Sequence, residues 1–466
     1  MNSSGDISKC VVPSRLSVYA AALHLTRTGR LPILLALEWP ARNSKGAVMM
    51  KQLLFLALSL LAVPAIAADP LPAASPESVG LSPAQLARIG KVLRADIERG
   101  RLPGAVVAIA RKGQLAYFEA FGYIDKEAGI PMTRDAIFAI ASMTKPMVGV
   151  AIMQMMEETR LQMSDPVSRW FPELGKLPVG VVKDNVMESV PARRQITVQD
   201  LLRHTSGLTY GGRGSTPMHK SQPSSSATAA TQYTGGEFIA ALSRSHLLYQ
   251  PGTVWDYGLS IDVLGLILET EHNQKLGTIL NDRIWKPLGM TDTSFLVPPD
   301  KAGRFARALR IDPDTGKPQT SSDRTKPDKF ECGGGCAAST AADYIRFGQM
   351  LLNRGKLGDT RILASRTVDY MTANHLTRDM ANHIADADPT KAGYEFGLAM
   401  AVRTSAGGPT MLGSPGSFTW SGASGTDFWV DPKEELVVVF MSAGPGPIRW
   451  HYRRLINALV YQALSD

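Results

Sequence analysis

The chain has 466 residues, of which 44% are hydrophobic, and it carries 50 Lys and Arg against 42 Asp and Glu, a net charge of +8. Most of that excess lies at the front. Residues 1–67 hold seven of the basic residues and two of the acidic ones, so the remainder carries +3 with its signs interspersed, which excludes a nucleic-acid binder as the default reading.

In chain order, the first feature is "MKQLLFLALSLLAVPAIAADP" (Met50–Pro70), with one lysine, an apolar run from Leu53 to Val63 and the small-residue site Ala65-Ile66-Ala67. This is the pattern of a secretory signal, and the run is shorter than the roughly 20 apolar residues that span a bilayer. No cysteine lies at the cleavage point to carry a lipid. The leader is therefore placed at 1–67, with the signal in 49–67 and an over-extended start in 1–48. The alternative is a genuine extension carrying an uncleaved anchor. The expected location is periplasmic or secreted, with no stable membrane anchor once the leader is removed.

About 400 residues follow, more than one ordinary core holds, so two lobes are expected within 68–466. "LSPAQLARIGKVLRADIERG" opens with Ser82 as helix cap, Pro83 at the first helical position and Gln85 three residues after the cap. Two β-rich runs then meet at Lys112-Gly113, a hairpin signal. Helical patterns dominate 141–350: "GVAIMQMMEETRL", "TVQDLLRHT", "GEFIAALSRSHLL", "SIDVLGLILETEHNQKLGTILNDRIWKPLG" and "TAADYIRFGQMLLNRG". The low-complexity stretch 211–236 reads as a mobile loop. "GTDFWVDPKEELVVVFMSAG" is a second hairpin, turning at Asp431-Pro432-Lys433, and a last helix closes the chain. The economical architecture is an antiparallel sheet built from both ends of the chain (about 75–140 and 350–466). A helical lobe (about 141–350) is inserted into it, leaving a cleft between the two.

Only Cys332 and Cys336 lie beyond the leader, in "ECGGGC". In an oxidising compartment the pair can close a disulfide around a glycine turn; otherwise both stay reduced thiols. No further ligand is spaced to make them a metal site.

A serine hydrolase of the commonest kind is excluded, because no G-x-S-x-G occurs: Ser424 and Ser260 each have the first glycine and lack the second. S-x-x-K occurs once, at Ser142–Lys145, where a strand-rich region gives way to an apolar helix. Residues three apart share a helix face, so a hydroxyl and an amine meet there. The serine's own backbone N–H is free at the helix start, beside the positive end of the dipole. The plainer reading is a capping serine followed by a surface lysine. Two further stretches weigh against it: Tyr257 just before an apolar helix, and Trp420-Ser421-Gly422-Ala423 opening a strand.

In this order and spacing, these residues resemble the serine β-lactamase-like superfamily, most closely the family VIII carboxylesterases related to class C β-lactamases. "LLRHTSGL", "KPLGMTDTSF", "STAADYIRFGQMLLN" and "GTDFWVDP" extend the resemblance over nearly all of 75–466. It implies an α+β fold of the β-lactamase and penicillin-binding-protein type, with a five-stranded antiparallel sheet flanked by helices and an all-helical lobe. It further implies Ser142 as acylated nucleophile, Lys145 as proton acceptor, Tyr257 as the tyrosine of Y-x-N, and Trp420-Ser421-Gly422 as the K-T-G strand. The Ala423 N–H would join that of Ser142 as oxyanion donor.

Trp420 stands where lysine is expected and Leu259 where the asparagine would be, which argues against efficient β-lactam hydrolysis. Ser421, where the esterases often have glycine, is a smaller departure. His204, Asp200 and Asp165 read as structural residues of helix ends, and Trp255 as cleft wall or packing. The expected activity is hydrolysis of small-molecule, short-chain esters without cofactor or metal, the base being either Lys145 or Tyr257. The alternatives are a β-lactamase or D-amino-acid peptidase or amidase, and a non-enzymatic penicillin- or peptidoglycan-binding module. Specificity would reside in the loops at 210–236, 296–335 and 376–393.

Overall fold

A computed structural model describes residues 69–184 and 186–465; the leader assigned to 1–67 lies outside the described residues. The first helix, α1 (Pro83–Glu98), starts as its cap signature dictates, with Ser82 extended and its hydroxyl accepting from the Gln85 N–H. Strands β1 (Gly104–Arg111) and β2 (Gln114–Asp125) are joined through Lys112 and Gly113, whose φ values of 53° and 76° are those of a tight hairpin turn. Helix α2 (Thr144–Glu157) follows. The helical region contributes α3 (Ser260–His272) among several shorter pieces, and α4 (Ala341–Leu352) leads back to the sheet. Strands β3 (Phe418–Ser421), β4 (Asp427–Asp431) and β5 (Leu436–Ser442) precede the last helix, α5 (Ile448–Tyr461).

The sheet is antiparallel and has eight strands rather than the five expected. Its body is β3-β4-β5-β1-β2, and two-residue strands extend both edges: Glu395–Phe396 and Ala401–Val402 beyond β3, Ile130–Pro131 beyond β2. These additions are too short to carry an alternating pattern, which is why periodicity misses them. At the centre β1 pairs with β5, Ala105 opposite Ser442 through Arg111 opposite Leu436, so the two ends of the chain close the sheet.

Both faces of that central pair are dry. Ala105, Val107 and Ile109 face α1 and α5 through Leu86, Ile89, Leu93, Ile456 and Val460, while Val106, Ala108 and Ala110 belong to the larger core on the other face. A strand buried on both faces reads as a continuous apolar run. Helix α4 packs on that second face, with the Tyr344 ring edge-to-face on Phe428, centroids 4.9 Å apart. It is thus a sheet helix, although it falls within the range expected for the helical lobe.

Three further differences stand out. Helix α2 is buried all round from Thr144 to Met153, so no face of that stretch is left for solvent. Within the expected all-helical region, Val179–Lys183 and Val186–Val190 form a hairpin. The stretch 211–236 is not a free loop. It carries helical turns at Pro217–Lys220 and Ser226–Gln232, and Ser226, Ala229 and Ala230 are buried. Its Ser, Thr and Ala residues cap and pack short helices instead of solvating a chain.

At Gly348 in α4 an added Cβ would lie 2.6 Å from Val437 Cγ1. Gly348→Leu is expected to lower stability by about 1–3 kcal/mol through overpacking. This would be read as a reduced urea midpoint with unchanged m-value.

Candidate active site

The local chain path explains where Ser142 stands. Phe138–Ala139 pairs with Ala338–Ser339, so the backbone is extended through Ala139, and the Ile140 N–H still donates to Ala337 O. Ala141 then turns into the left-handed region (φ 43°), rare for a residue with a Cβ and found where a structure over-determines it. A single 3₁₀ turn, Ala141–Met143, leads into α2. The first hydrogen bond of that turn runs from the Met143 N–H to Ile140 O, so the Ser142 N–H lies ahead of it. The Tyr344 hydroxyl of α4 donates to Met143 O at 2.7 Å and locks the turn from below.

Lys145, one turn on, is fully buried. Its Nζ donates to Ser142 Oγ at 3.4 Å, to the Tyr210 hydroxyl at 3.0 Å and to the carbonyl of Gly334, and it stands 4.5 Å from the centre of the Tyr257 ring. The Tyr210 hydroxyl shares a 2.8 Å hydrogen bond with Ser226 Oγ, which donates to Asp262 Oδ2 at 2.7 Å. Asp262 Oδ1 accepts from the Gly334 N–H at 2.8 Å. Since Gly334 O in turn accepts from Lys145, the amine sits in a closed ring of hydrogen bonds: Lys145, Tyr210, Ser226, Asp262 and Gly334.

Burial alone would push the Lys145 amine down, but Tyr210, Tyr257 and Asp262 together hold it above its ordinary value. Burial pushes the Asp262 carboxyl up, against the pull of Lys145, Ser226 and the Gly334 N–H.

The glycine turn "CGGGC" has a steric reason. A Cβ on Gly334 would lie 2.3 Å from Ser226 Oγ and 2.4 Å from Asp262 Oδ2, and one on Gly333 would lie 2.7 Å from Ile261 O. Cys332 and Cys336 are joined as a disulfide, both fully buried, so the turn is clamped at its two ends.

Tyr257 is brought in by the residue after it. A Cβ on Gly258 would lie 2.4 Å from Leu208 O, so the chain here presses against the turn at 204–210. Tyr257 therefore meets Tyr210 edge-to-face at 5.3 Å. Trp420 Nε1–H donates to the Tyr257 hydroxyl at 3.3 Å from the other side. Leu259 is fully buried and offers nothing to the cleft.

Gly422 ends the strand against the turn that carries Ser142: a Cβ there would lie 2.3 Å from Ile140 O and 2.2 Å from Thr426 Oγ1. Ser424 Oγ donates to Ala139 O. Ala423 and Ala141 line one cavity of about 130 Å³ with Ala306, Ala308, Ser322, Ala443 and neighbouring Ser and Thr residues. Ser421, the departure without a sequence explanation, turns its hydroxyl to Asp388 Oδ2 at 3.4 Å.

The structure thus gathers Ser142, Lys145 and Tyr257 around one amine, with Trp420 on Tyr257 and Gly422 on the turn before Ser142. Tyr210, Ser226, Asp262 and Gly334 were not foreseen. The available signals were the tyrosine closing "RHTSGLTY", an acid inside the apolar run "SIDVLGLIL", and three consecutive glycines, which ask for a close backbone approach.

His204 is buried, takes a positive φ of 55°, and packs 4.9 Å from Tyr257 and 5.7 Å from Phe396 with neither ring nitrogen hydrogen-bonded. Burial, then the charges of Lys145 and Arg213, hold it far below the usual histidine range, so it is a neutral aromatic wall. Asp200 completes a capping box with Thr197, and Trp255 is fully buried against Tyr257. Among the described residues, no three His, Cys, Asp or Glu are gathered as a metal site.

The sequence profile of the Beta-lactamase family matches residues 89–462. The chain belongs to that family. An uncharacterized protein of Mycobacterium tuberculosis is 36% identical over 75% of this chain and 88% of its own length. Esterase EstB of Burkholderia gladioli is 29% identical over 79% of this chain and 93% of its own. Among solved structures, EstCE1, described as a hydrolase with promiscuous acyltransferase activity, superposes with a TM-score of 0.63 at 25% identity, covering 81% of this chain and 99% of that one. The β-lactamase fold and a hydrolase family with esterase members follow from these matches.

Two outcomes are expected. Gly334→Ala forces the ring open and is expected to lower ester turnover at least about tenfold, because a group that positions a reacting side chain acts through small displacements; steady-state rates on p-nitrophenyl acetate measure it. His204 is neutral when folded and protonates in the unfolded chain below about pH 6.5, so the unfolded state binds more protons there. Stability contributed by this group is lost as pH falls from 6.5 toward the folded-state value, by at most about 1.4 kcal/mol per pH unit. His204→Phe is expected to flatten that part of the pH–stability curve in urea melts.

Proposed function

We propose that the protein is a serine carboxylesterase that hydrolyses short-chain acyl esters through an acyl-Ser142 intermediate. The observation that carries the reading is the buried Lys145 amine, held in its hydrogen-bond ring and directed at Ser142 Oγ at 3.4 Å with Tyr257 against it.

A serine hydroxyl attacks an acyl carbon only if its proton has somewhere to go. Lys145 donates to three acceptors and its proton is held tightly, so it serves as a fixed ammonium. That leaves Tyr257 as the base. The Lys145 amine lies 4.5 Å from the centre of its ring and the Trp420 N–H donates to its oxygen, so the side chain is held in place from two sides. The Ser142 proton passes to the Tyr257 oxygen as Oγ bonds to the acyl carbon. Tyr257 returns the proton to the departing alkoxide. Water then repeats the sequence in reverse roles, releasing the acid and the free serine. The N–H groups of Ser142 and Ala423 are the donors to the tetrahedral oxygen, an interaction of about 3–4 kcal/mol per donor in comparable sites.

The short-chain preference rests on the cavity beside Ala141 and Ala423. Its 130 Å³ is well under the roughly 300 Å³ at which pockets for drug-sized ligands begin. The ester preference rests on Trp420 and Leu259, neither of which supplies the cation or the amide that a β-lactam's carboxylate and amide would engage. The Cys332–Cys336 disulfide is compatible with an oxidising compartment outside the cytoplasm.

Ser142→Ala is expected to remove at least about 10⁴-fold of kcat on p-nitrophenyl acetate, and Tyr257→Phe about 10²–10⁴-fold. Acetate and butyrate esters should turn over ahead of octanoate, with nitrocefin far behind. A wild-type protein that gains no mass from a fluorophosphonate probe, or that prefers nitrocefin, would overturn the proposal.

A further inference from the structure

Beneath β3 lies a buried group of charges that the hydrolytic scheme leaves unused. Arg453, on α5, is 2% exposed. Its Nη1 donates to Asp388 Oδ2 at 2.6 Å and its Nη2 to the carbonyl oxygen of Gly422 at 2.6 Å. Asp388 is oriented in turn: its Oδ1 accepts from the Thr390 N–H at 3.0 Å and from the Thr390 hydroxyl at 2.7 Å. The Ser421 hydroxyl also approaches Oδ2, at 3.4 Å.

The Gly422 carbonyl shares a peptide unit with the Ala423 N–H. In a planar trans peptide the C=O and N–H point in opposite directions. A guanidinium that grips the oxygen from the α5 side therefore turns the N–H toward the opposite side, where Ala423 and Ala141 border the same cavity. The grip is also charge-assisted. A cation on the carbonyl oxygen draws electrons from the amide nitrogen and makes its N–H a stronger donor, the cooperative effect of hydrogen bonds in series in a low dielectric. Gly422 cannot drift toward the nucleophile turn, since Ile140 O already stands 2.3 Å from where a Cβ would be.

We infer that Arg453, oriented by Asp388, is a positioning residue that aims and polarises the Ala423 N–H as an oxyanion donor. This rests on the acyl-Ser142 reading above. A residue that only anchored α5 to the sheet would lower stability when replaced and leave the reacting carbonyl of folded enzyme unchanged. A residue that polarises the donor changes that carbonyl directly.

The test uses the full chain acylated by p-nitrophenyl pivalate, a hindered ester chosen to slow deacylation, carrying ¹³C at the carbonyl. Intact mass shows acylation, and isotope-edited infrared spectroscopy reads the acyl C=O band. Arg453→Met is expected to move that band to higher wavenumber. On p-nitrophenyl butyrate it should lower kcat about tenfold to a hundredfold, with KM changed less than about threefold. This is a smaller loss than the 10²–10³-fold that follows removal of a donor itself. Arg453→Lys, which keeps the charge and gives up the forked geometry, should recover part of both effects, and Asp388→Asn should fall between. If Arg453→Met does not fold, Arg453→Lys and Asp388→Asn carry the same two readouts. Folded variants with the wild-type band and wild-type kcat overturn the inference. A wild-type enzyme that acquires no acyl group on Ser142 overturns the esterase reading instead.

Discussion

A full positive charge sits in the dry interior of this molecule, and much of the local structure exists to hold it. An isolated ammonium taken out of water is destabilised by many kcal/mol and would lose its proton. Lys145 keeps its proton because every direction in which it can donate meets an acceptor, and because a carboxylate lies one hydrogen bond beyond Gly334 and two beyond Tyr210. That requirement explains features with no other evident purpose. An acid stands within the apolar helix α3, a serine from a low-complexity stretch is buried to touch it, and three glycines let a backbone carbonyl approach the amine without side chains in the way.

The site is supported by two separate groups of buried charge. On the helical side the ring through Asp262 sets the position and protonation of Lys145. On the sheet side the pair Arg453–Asp388 secures the end of β3 at Gly422. Between them the turn that carries Ser142 is held in an unfavourable conformation, with Ala141 left-handed, Tyr344 donating to Met143 O from α4 and Ser424 donating to Ala139 O from the strand turn. Strain of this kind persists only where surrounding contacts over-determine it.

What was legible from residue order was mostly local. Ser82 with Pro83, Lys112-Gly113 and the apolar run of β5 each specify their element by capping, turn conformation or burial, and all form where expected. The family resemblance rested on contiguous motifs and brought Ser142, Lys145 and Tyr257 to one place. The misses share a cause. Tyr210, Ser226, Asp262 and Gly334 matter because of partners distant along the chain, and none has a spacing that signals it. Ser226 was further disguised, because Ser, Thr and Ala in series look solvated until the caps of short helices are seen to use them. The marginal strands failed for lack of length, and α4 was assigned by its position in the chain although its apolar face packs on the sheet.

The pairing of β1 with β5 carries a consequence for how the protein comes into being. The strand that completes the sheet's centre is made long after β1, and α5, which bears Arg453, comes later still. An emerging chain therefore has no finished sheet to rest on. Its apolar first hairpin must wait, shielded by something other than its final neighbours, until β5 and α5 have been made. A chain lacking α5 would leave Ala105, Val107 and Ile109 covered by α1 alone, and part of that face of the sheet would be wetted.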